Sequence, residues 1–262
     1  IAVITADIGS YNYSITNVFN KYKIPCFIDD NRSVNTNPMV ETIRALFEIV
    51  ENNYSYESVF SYLRAGMSSL LRKEIDMLEN YVISHGIRGH KKWNKNIEDE
   101  NEIYENARIK LIDDTEDFYN LYKKNKFAKV RDSITGLREI ILKLDIKGKM
   151  EAIAKAFYSN GDISRGNEYR QTYEIVMELF LKMENLIGDE EVTPKELSAM
   201  LDSGFSEIKV GLVPPTLDRV VVGDIERTRL NNIKVLFLIG ANDGMKQKND
   251  GSSGVLTRAE RE

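Results

Sequence analysis

Arg227, Thr228 and Arg229 form the stretch of this sequence best suited to a charged ligand. Two guanidiniums flank a hydroxyl, and that arrangement suits phosphate oxygens. Each guanidinium offers a planar fork of donors, while the hydroxyl adds one more. The competing reading is a solvated connection whose charges pair with Asp224 and Glu226. Asn242, Asp243 and Gly244 are the second candidate. They suit a nucleotide cleft, or simply a turn after a strand, where Asn, Asp and Gly are the expected residues. The third candidate is the basic cluster His85, Arg88, His90, Lys91, Lys92 and Trp93. Lys91 and Lys92 would hold a nucleic-acid backbone while Trp93 stacks on a base. Alternatively, Trp93 packs inside a helical domain beneath a solvated basic rim.

Other reactive types give less. Two histidines without nearby cysteines make no metal-site pattern. The single cysteine, Cys26, sits in the run Ile24–Pro25–Cys26–Phe27–Ile28 and reads as a small buried hydrophobe, not a nucleophile. Its lack of a partner fits a reducing compartment. Glu98–Asp99–Glu100 and the pair Asp113–Asp114 read as solvated faces and loop charges. Two-metal catalysis needs carboxylates converging from separate elements, and nothing singles out such a set. No catalytic residue and no metal ligand is therefore assigned. A net charge of −5 over 262 residues argues against a whole-surface polyanion binder and leaves room for a local basic track. No apolar run approaches membrane-spanning length and no signal peptide precedes the first strand. The expectation is a soluble, cytoplasmic protein with no membrane partner.

The candidates hang on two β-branched runs, Val220–Val221–Val222 and Val235–Leu236–Phe237–Leu238–Ile239. Such short apolar runs read as strands buried on both faces, the usual state of a parallel sheet covered by helices. In open α/β sheets, functional loops lie at the carboxyl edge of the strands. The start of the chain has the same character. Ile1–Thr5 reads as a strand, a helix follows with Ile15, Val18, Phe19 and Tyr22, and Ile24–Ile28 reads as a second strand. A chain opening inside a strand is expected to be a piece of something longer. Asn37–Pro38 supplies a cap and a first-turn proline for the next helix. From Ser55 to about Phe205 the period is helical, with no strand signal. Helix starts are expected at Ser55 and at the capping box Thr193–Pro194–Lys195–Glu196. Stops are expected at Gly66, Gly86 and Gly204. Gly89–Asn101 and Lys246–Ser253 read as flexible.

This layout resembles the second RecA-like domain of a superfamily I helicase. IAVIT and IPCFIDD are similar to the motif IV region, and TLDRVVVGDIERTRLNNIKVLFLIGANDGM to motif V. Within that superfamily the sequence resembles the B subunits of bacterial AddAB-type ATP-dependent helicase/deoxyribonucleases. The blocks that carry this likeness are IPCFIDDNRSV, SYESVFSYLRAG, KEIDMLENYVISHGIRGHKKW, VVVGDIERTRLNNIKVLFLIGANDG and GVLTRAERE. The resemblance implies an α/β fold with a RecA-like parallel sheet, a partial P-loop NTPase-type 2A domain at 1–66 and 206–262. A large all-α, 2B-like insertion would occupy 67–205. It implies DNA and the A subunit of the heterodimer as partners, in double-strand break repair and recombination. For the intact subunit it implies ATP, magnesium and an iron–sulfur cluster.

The chain also departs from the family pattern. It has no GxxxxGK[ST] phosphate loop. Cys26 alone cannot hold a cluster. The first strand exits into Thr5–Ala6–Asp7–Ile8, with no arginine. The expectation is a helicase-like fragment that helps bind and channel DNA, with no ATPase or nuclease activity of its own. The alternatives are a motor half-domain whose partner half carries the phosphate loop, and a helical protein-interaction module on an α/β base.

Overall fold

The computed structural model describes residues 1–28, 32–98, 102–207, 209–210, 219–225, 228 and 233–241. The chain forms two compact units, one of Ile1–Asn31 with Gly211–Glu262 and one of Arg32–Val210.

The first unit is built on a four-stranded sheet. β1 (Ala2–Thr5) leads through α1 (Ile8–Lys21) to β2 (Cys26–Ile28). β3 (Val220–Asp224) and β4 (Leu236–Leu238) come from the far end of the chain. The strand order is β2-β3-β1-β4, and every neighbouring pair is parallel. The two terminal segments thus share one sheet, as expected, because two strands from either end would be marginal alone. In register, Val3 faces Val222 on one side and Phe237 on the other. α1 begins at Asp7, whose carboxylate accepts from Ser10 N at 3.2 Å. It lays Ile8 and Ile15 on Val3 and Val222, which together form this unit's core.

β4 differs from its expectation. Its run reads as buried on both faces, yet β4 is the sheet edge, and Leu236, Phe237 and Leu238 are 54%, 54% and 49% exposed. The apolar pattern records what a strand requires on each face, and a neighbour must still supply it.

The second unit is helical: α2 (Pro38–Glu51), α3 (Tyr56–Arg64), α4 (Arg72–His85), α5 (His90–Trp93), α6 (Glu102–Lys123), α7 (Val130–Lys143), α8 (Ile146–Ser159), α9 (Ile163–Ile187) and α10 (Pro194–Glu207). The expected starts hold. Asn37 Oδ1 accepts from Met39 N at 3.0 Å, and Ser55 Oγ accepts from Ser58 N at 3.1 Å. Thr193 and Glu196 close a capping box, each side chain accepting from the other's backbone N–H. All these helices feed one core. α2 and α3, which the resemblance places with the sheet at 1–66, bury Phe47, Phe60, Tyr62 and Leu63 in it.

Three features escape the periodicity. α6 lies within the stretch that reads as helical, but no single helix is assigned there, because its buried face includes Arg108, Asp114 and Thr115 among Ala107, Leu111, Phe118 and Tyr122. Polar residues on the inward face break the apolar period on which a helix assignment depends. α10 runs past Gly204 to Glu207. A Cβ at Gly204 would lie 2.8 Å from a Leu179 methyl, so this glycine permits close packing and does not end the helix. Two short antiparallel pairings also occur, Arg32–Ser33 with Lys209–Val210 and Ala128–Lys129 with Glu191–Val192. The second interrupts the stretch that reads as wholly helical. Two residues are too few to show an alternation.

Candidate nucleic-acid interface

Because the four strands are parallel, their carboxyl ends share one edge of the sheet. At the end of β3 the chain folds back on itself. Asp224 N donates to Thr228 Oγ1 at 2.9 Å, and Thr228 N donates to Asp224 O at 3.0 Å. A Cβ at Gly223 would fall 2.0 Å from Thr228 Oγ1, so only glycine allows this approach. The Thr228 hydroxyl therefore positions a turn, with an arginine on either side of it in sequence. Arg227, Arg229, Asn242, Asp243 and Gly244 all lie outside the described residues.

The amino end of α1 lies at the same edge. A helix N-terminus ordinarily favours an anion. Here Asp7 fills that role from within the chain. The Ser10 hydroxyl and backbone N–H hold its carboxyl below the usual range. A carboxylate already seated on the helix end repels a phosphate, so this corner is unsuited to cradle a triphosphate.

The third candidate lies in the other unit. Gly89 N and His90 N donate to Tyr54 O and Asn53 O, tying the start of α5 to the α2–α3 connection. Lys91 and Lys92 are exposed, and Lys92 Nζ donates to Gly86 O at 2.7 Å. Trp93 is fully buried. Its carbonyl accepts from Arg108 Nη1 at 2.9 Å, and Arg108 is held in turn by both Glu105 oxygens at 2.6 and 2.7 Å. Of the two readings of Trp93, the structure has the packed one. Its ring face is not presented to a base. Gly89–Asn101, which reads as flexible, thus contains an anchored turn of helix.

His90 is buried as well. Its ring stacks on Tyr119 at 4.3 Å and lies 3.5 Å from Glu116 Oε1. Burial pushes the imidazole below its ordinary value, with Lys123 acting in the same sense and Glu116 against it.

Asp114 corrects the reading of Asp113–Asp114 as solvated charges. It is 3% exposed, and its carboxylate accepts from Ser69 N, Ser69 Oγ and Tyr62 OH at 3.0, 2.9 and 3.1 Å. Burial raises its pKa while those bonds oppose the shift. Lys149 Nζ reinforces the same segment through Met67 O and Ser68 O. These contacts join α3, α6 and α8, and their geometry is that of a structural clasp. No local signal marks it, because Asp114 lies 52 residues from Tyr62 and 45 from Ser69 in sequence. A cleft of about 410 Å³ at α6 and α7 is lined by Asp113, Asp117, Asp132 and Glu139 with Arg131 and Lys143. Its predominantly negative lining disfavours a nucleic-acid backbone.

An iron–sulfur cluster does not fit these residues. Cys26 is the only cysteine, half-buried on β2, and burial pushes its thiol up, whereas a cluster needs four thiolates. Among the described residues, no three His, Cys, Asp or Glu side chains form a group that could hold a metal ion. No described helix is long and apolar enough to cross a membrane.

Comparison with known proteins agrees with the motif blocks. No family model matches. Over its whole length, however, the chain is similar to bacterial proteins named as the B subunit of an ATP-dependent helicase/deoxyribonuclease. It is 36% identical over 282 residues to that of Clostridium botulinum (strain Langeland). It is 35% identical over 273 residues to that of Lachnoclostridium phytofermentans, and 34% over 278 residues to that of Acetivibrio thermocellus. In each case the match takes in all of this chain and 24% of the relative. The chain thus spans about a quarter of the length of the curated relatives it matches, and it corresponds to a segment of these B subunits.

Proposed function

We propose that this chain acts as a DNA-handling segment of a helicase/deoxyribonuclease B subunit, helping to bind and channel a single strand in double-strand break repair and recombination. The observation that carries the reading is the match of the whole chain, end to end, to such B subunits. A parallel sheet assembled from both ends of the chain around a helical insertion agrees with it. In this reading the sheet is RecA-like and 2A-like, and the helical unit is 2B-like. The partners are DNA and the A subunit.

The contacts are made with the phosphate backbone. Thr228 fixes the turn, and Arg227 and Arg229, its neighbours in sequence, contact phosphates. Lys91 and Lys92 supply a second basic point in the helical unit. Asn242, Asp243 and Gly244, which follow the β4 run in sequence, are the nucleotide-cleft candidates. Catalysis is left to other parts of the subunit. The chain has no phosphate loop, and Asp7 already occupies the α1 terminus.

The test is single-strand binding by the full chain at several salt concentrations. Arg227→Ala with Arg229→Ala weakens binding about equally across sequences. It also flattens the log–log salt dependence by roughly 0.7 for each phosphate that an arginine no longer neutralises. Affinity and slope unchanged from wild type would remove the arginines from the interface. A loss confined to one sequence would make them base readers instead.

A further inference from the structure

Among the described residues, one face of the four-stranded sheet is only partly covered. α1 packs Ile8 and Ile15 over Val3 and Val222, and beside it, toward β4, opens a groove of about 530 Å³. Ile1, Val18, Ile24 and Phe237 line this groove and are 56%, 48%, 39% and 54% exposed. The lining is apolar except for the hydroxyls of Tyr11 and Ser14. A contiguous apolar surface of this kind marks a place where something else packs. A small-molecule site carries several placed polar groups that orient its ligand, and two hydroxyls are a poor set. Helices are what normally cover a parallel sheet.

We propose that this groove seats one amphipathic helix of the same polypeptide, supplied by the part of a subunit-length protein outside the span matched here. The proposal rests on the reading of the chain as a subunit segment. Two observations select this occupant. The matched span is 24% of each relative, so most of a subunit-length chain remains to supply a helix. Within this chain, the other stretches of this unit offer no such helix in sequence: 211–218 is interrupted by Pro214–Pro215, 226–232 has Leu230 as its one large apolar side chain, and 242–262 has Met245, Val255 and Leu256. That is too few for an apolar stripe repeating at i, i+3, i+4 and i+7.

The test is a chimera in which this chain replaces the matched span of the Clostridium botulinum relative. A photoreactive residue is placed at position 18 (Val18→p-benzoyl-phenylalanine), and the crosslinked peptide is sequenced by mass spectrometry. The expected product joins position 18 to an amphipathic stretch outside this span, within one polypeptide. Phe237→Glu lowers its yield at least tenfold, whereas Leu142→Glu, on an exposed position of α7, leaves it unchanged. A product joining two copies, a product within this chain, or no product would each overturn the proposal. If Phe237→Glu fails to fold, fluorescence of an apolar dye gives the same decision without it. The dye is bright on the 262-residue chain and several-fold dimmer on the chimera if the groove is filled, and equally bright on both if it is not. Single-strand affinity of the same chimera is scored separately. A filled groove without DNA binding would sink the DNA reading and leave this one standing.

Discussion

The two units bury their apolar residues to very different degrees. In the helical unit, Trp93, Tyr54, Tyr62, Phe47, Phe60 and Phe118 are all fully buried. In the sheet unit the buried core cluster is Val3, Ile8, Ile15 and Val222, and Phe237, Leu236 and Tyr22 are half exposed or more. Both carry comparable apolar patterns in sequence. The helical unit closes one core from several sides, although Leu71, Ile83, Leu142 and Leu186 stay 61–82% exposed. The sheet unit presents strands whose pattern asks for more covering than the described residues provide.

Phenylalanine truncations in the two units should break this contrast if it is wrong. Phe118 is 1% exposed and meets Phe47 edge-on at 5.2 Å. Phe118→Ala should cost about 3–5 kcal/mol in chemical denaturation. Phe237→Ala, at a residue 54% exposed, should cost less than about 1 kcal/mol by the same measurement. Equal costs would show that the sheet face is already filled.

Smaller effects sharpen the picture of the closed unit. Arg108→Met keeps apolar bulk but removes the charge that holds Glu105 and the Trp93 carbonyl. A loss of about 2–3 kcal/mol is expected, read as a lower denaturation midpoint. Asp114→Ala leaves the Tyr62 hydroxyl and the Ser69 N–H without their acceptor. That should cost about 2 kcal/mol. No effect there would mean that the clasp is dispensable.

The smallest expected effect is on pH dependence. His90 is held below the ordinary imidazole value by burial, so as pH falls the unfolded chain takes up a proton before the native one. The stability tied to neutral His90 is present above the ordinary histidine pKa. It is lost as pH falls through that value toward the lower, folded one. His90→Gln should flatten the melting temperature across pH 7.5 to 5.5, a range set by an ordinary value of about 6.5. Asp114 has the opposite sign, since its raised carboxyl gains stability as it protonates, and it acts lower, toward the carboxylate range. An unchanged profile in His90→Gln would assign the pH dependence to other groups.

Much of this architecture was legible in residue order. Asn37–Pro38, Ser55 and Thr193–Glu196 announce helix starts because capping is local, involving donors two or three residues away. The β-branched runs at both termini announce strands, and a marginal pair at each end implies that they meet. The parallel sheet and the helical middle follow. Of the candidate site, the sequence supplied residue types alone: arginines around Thr228, and lysines beside a tryptophan.

Tertiary structure decided the fates of side chains whose partners are distant in sequence. Whether Trp93 stacks on a ligand or fills a core depends on α6, whose inward face is hard to read because it includes Arg108, Asp114 and Thr115. Asp114 is buried because Tyr62 and Ser69 meet it there, and no local pattern encodes that meeting. The run Val235–Ile239 specifies a strand, while its place at the sheet edge depends on which neighbours arrive. Periodicity states which faces must leave water, and only the packed neighbours determine what covers them.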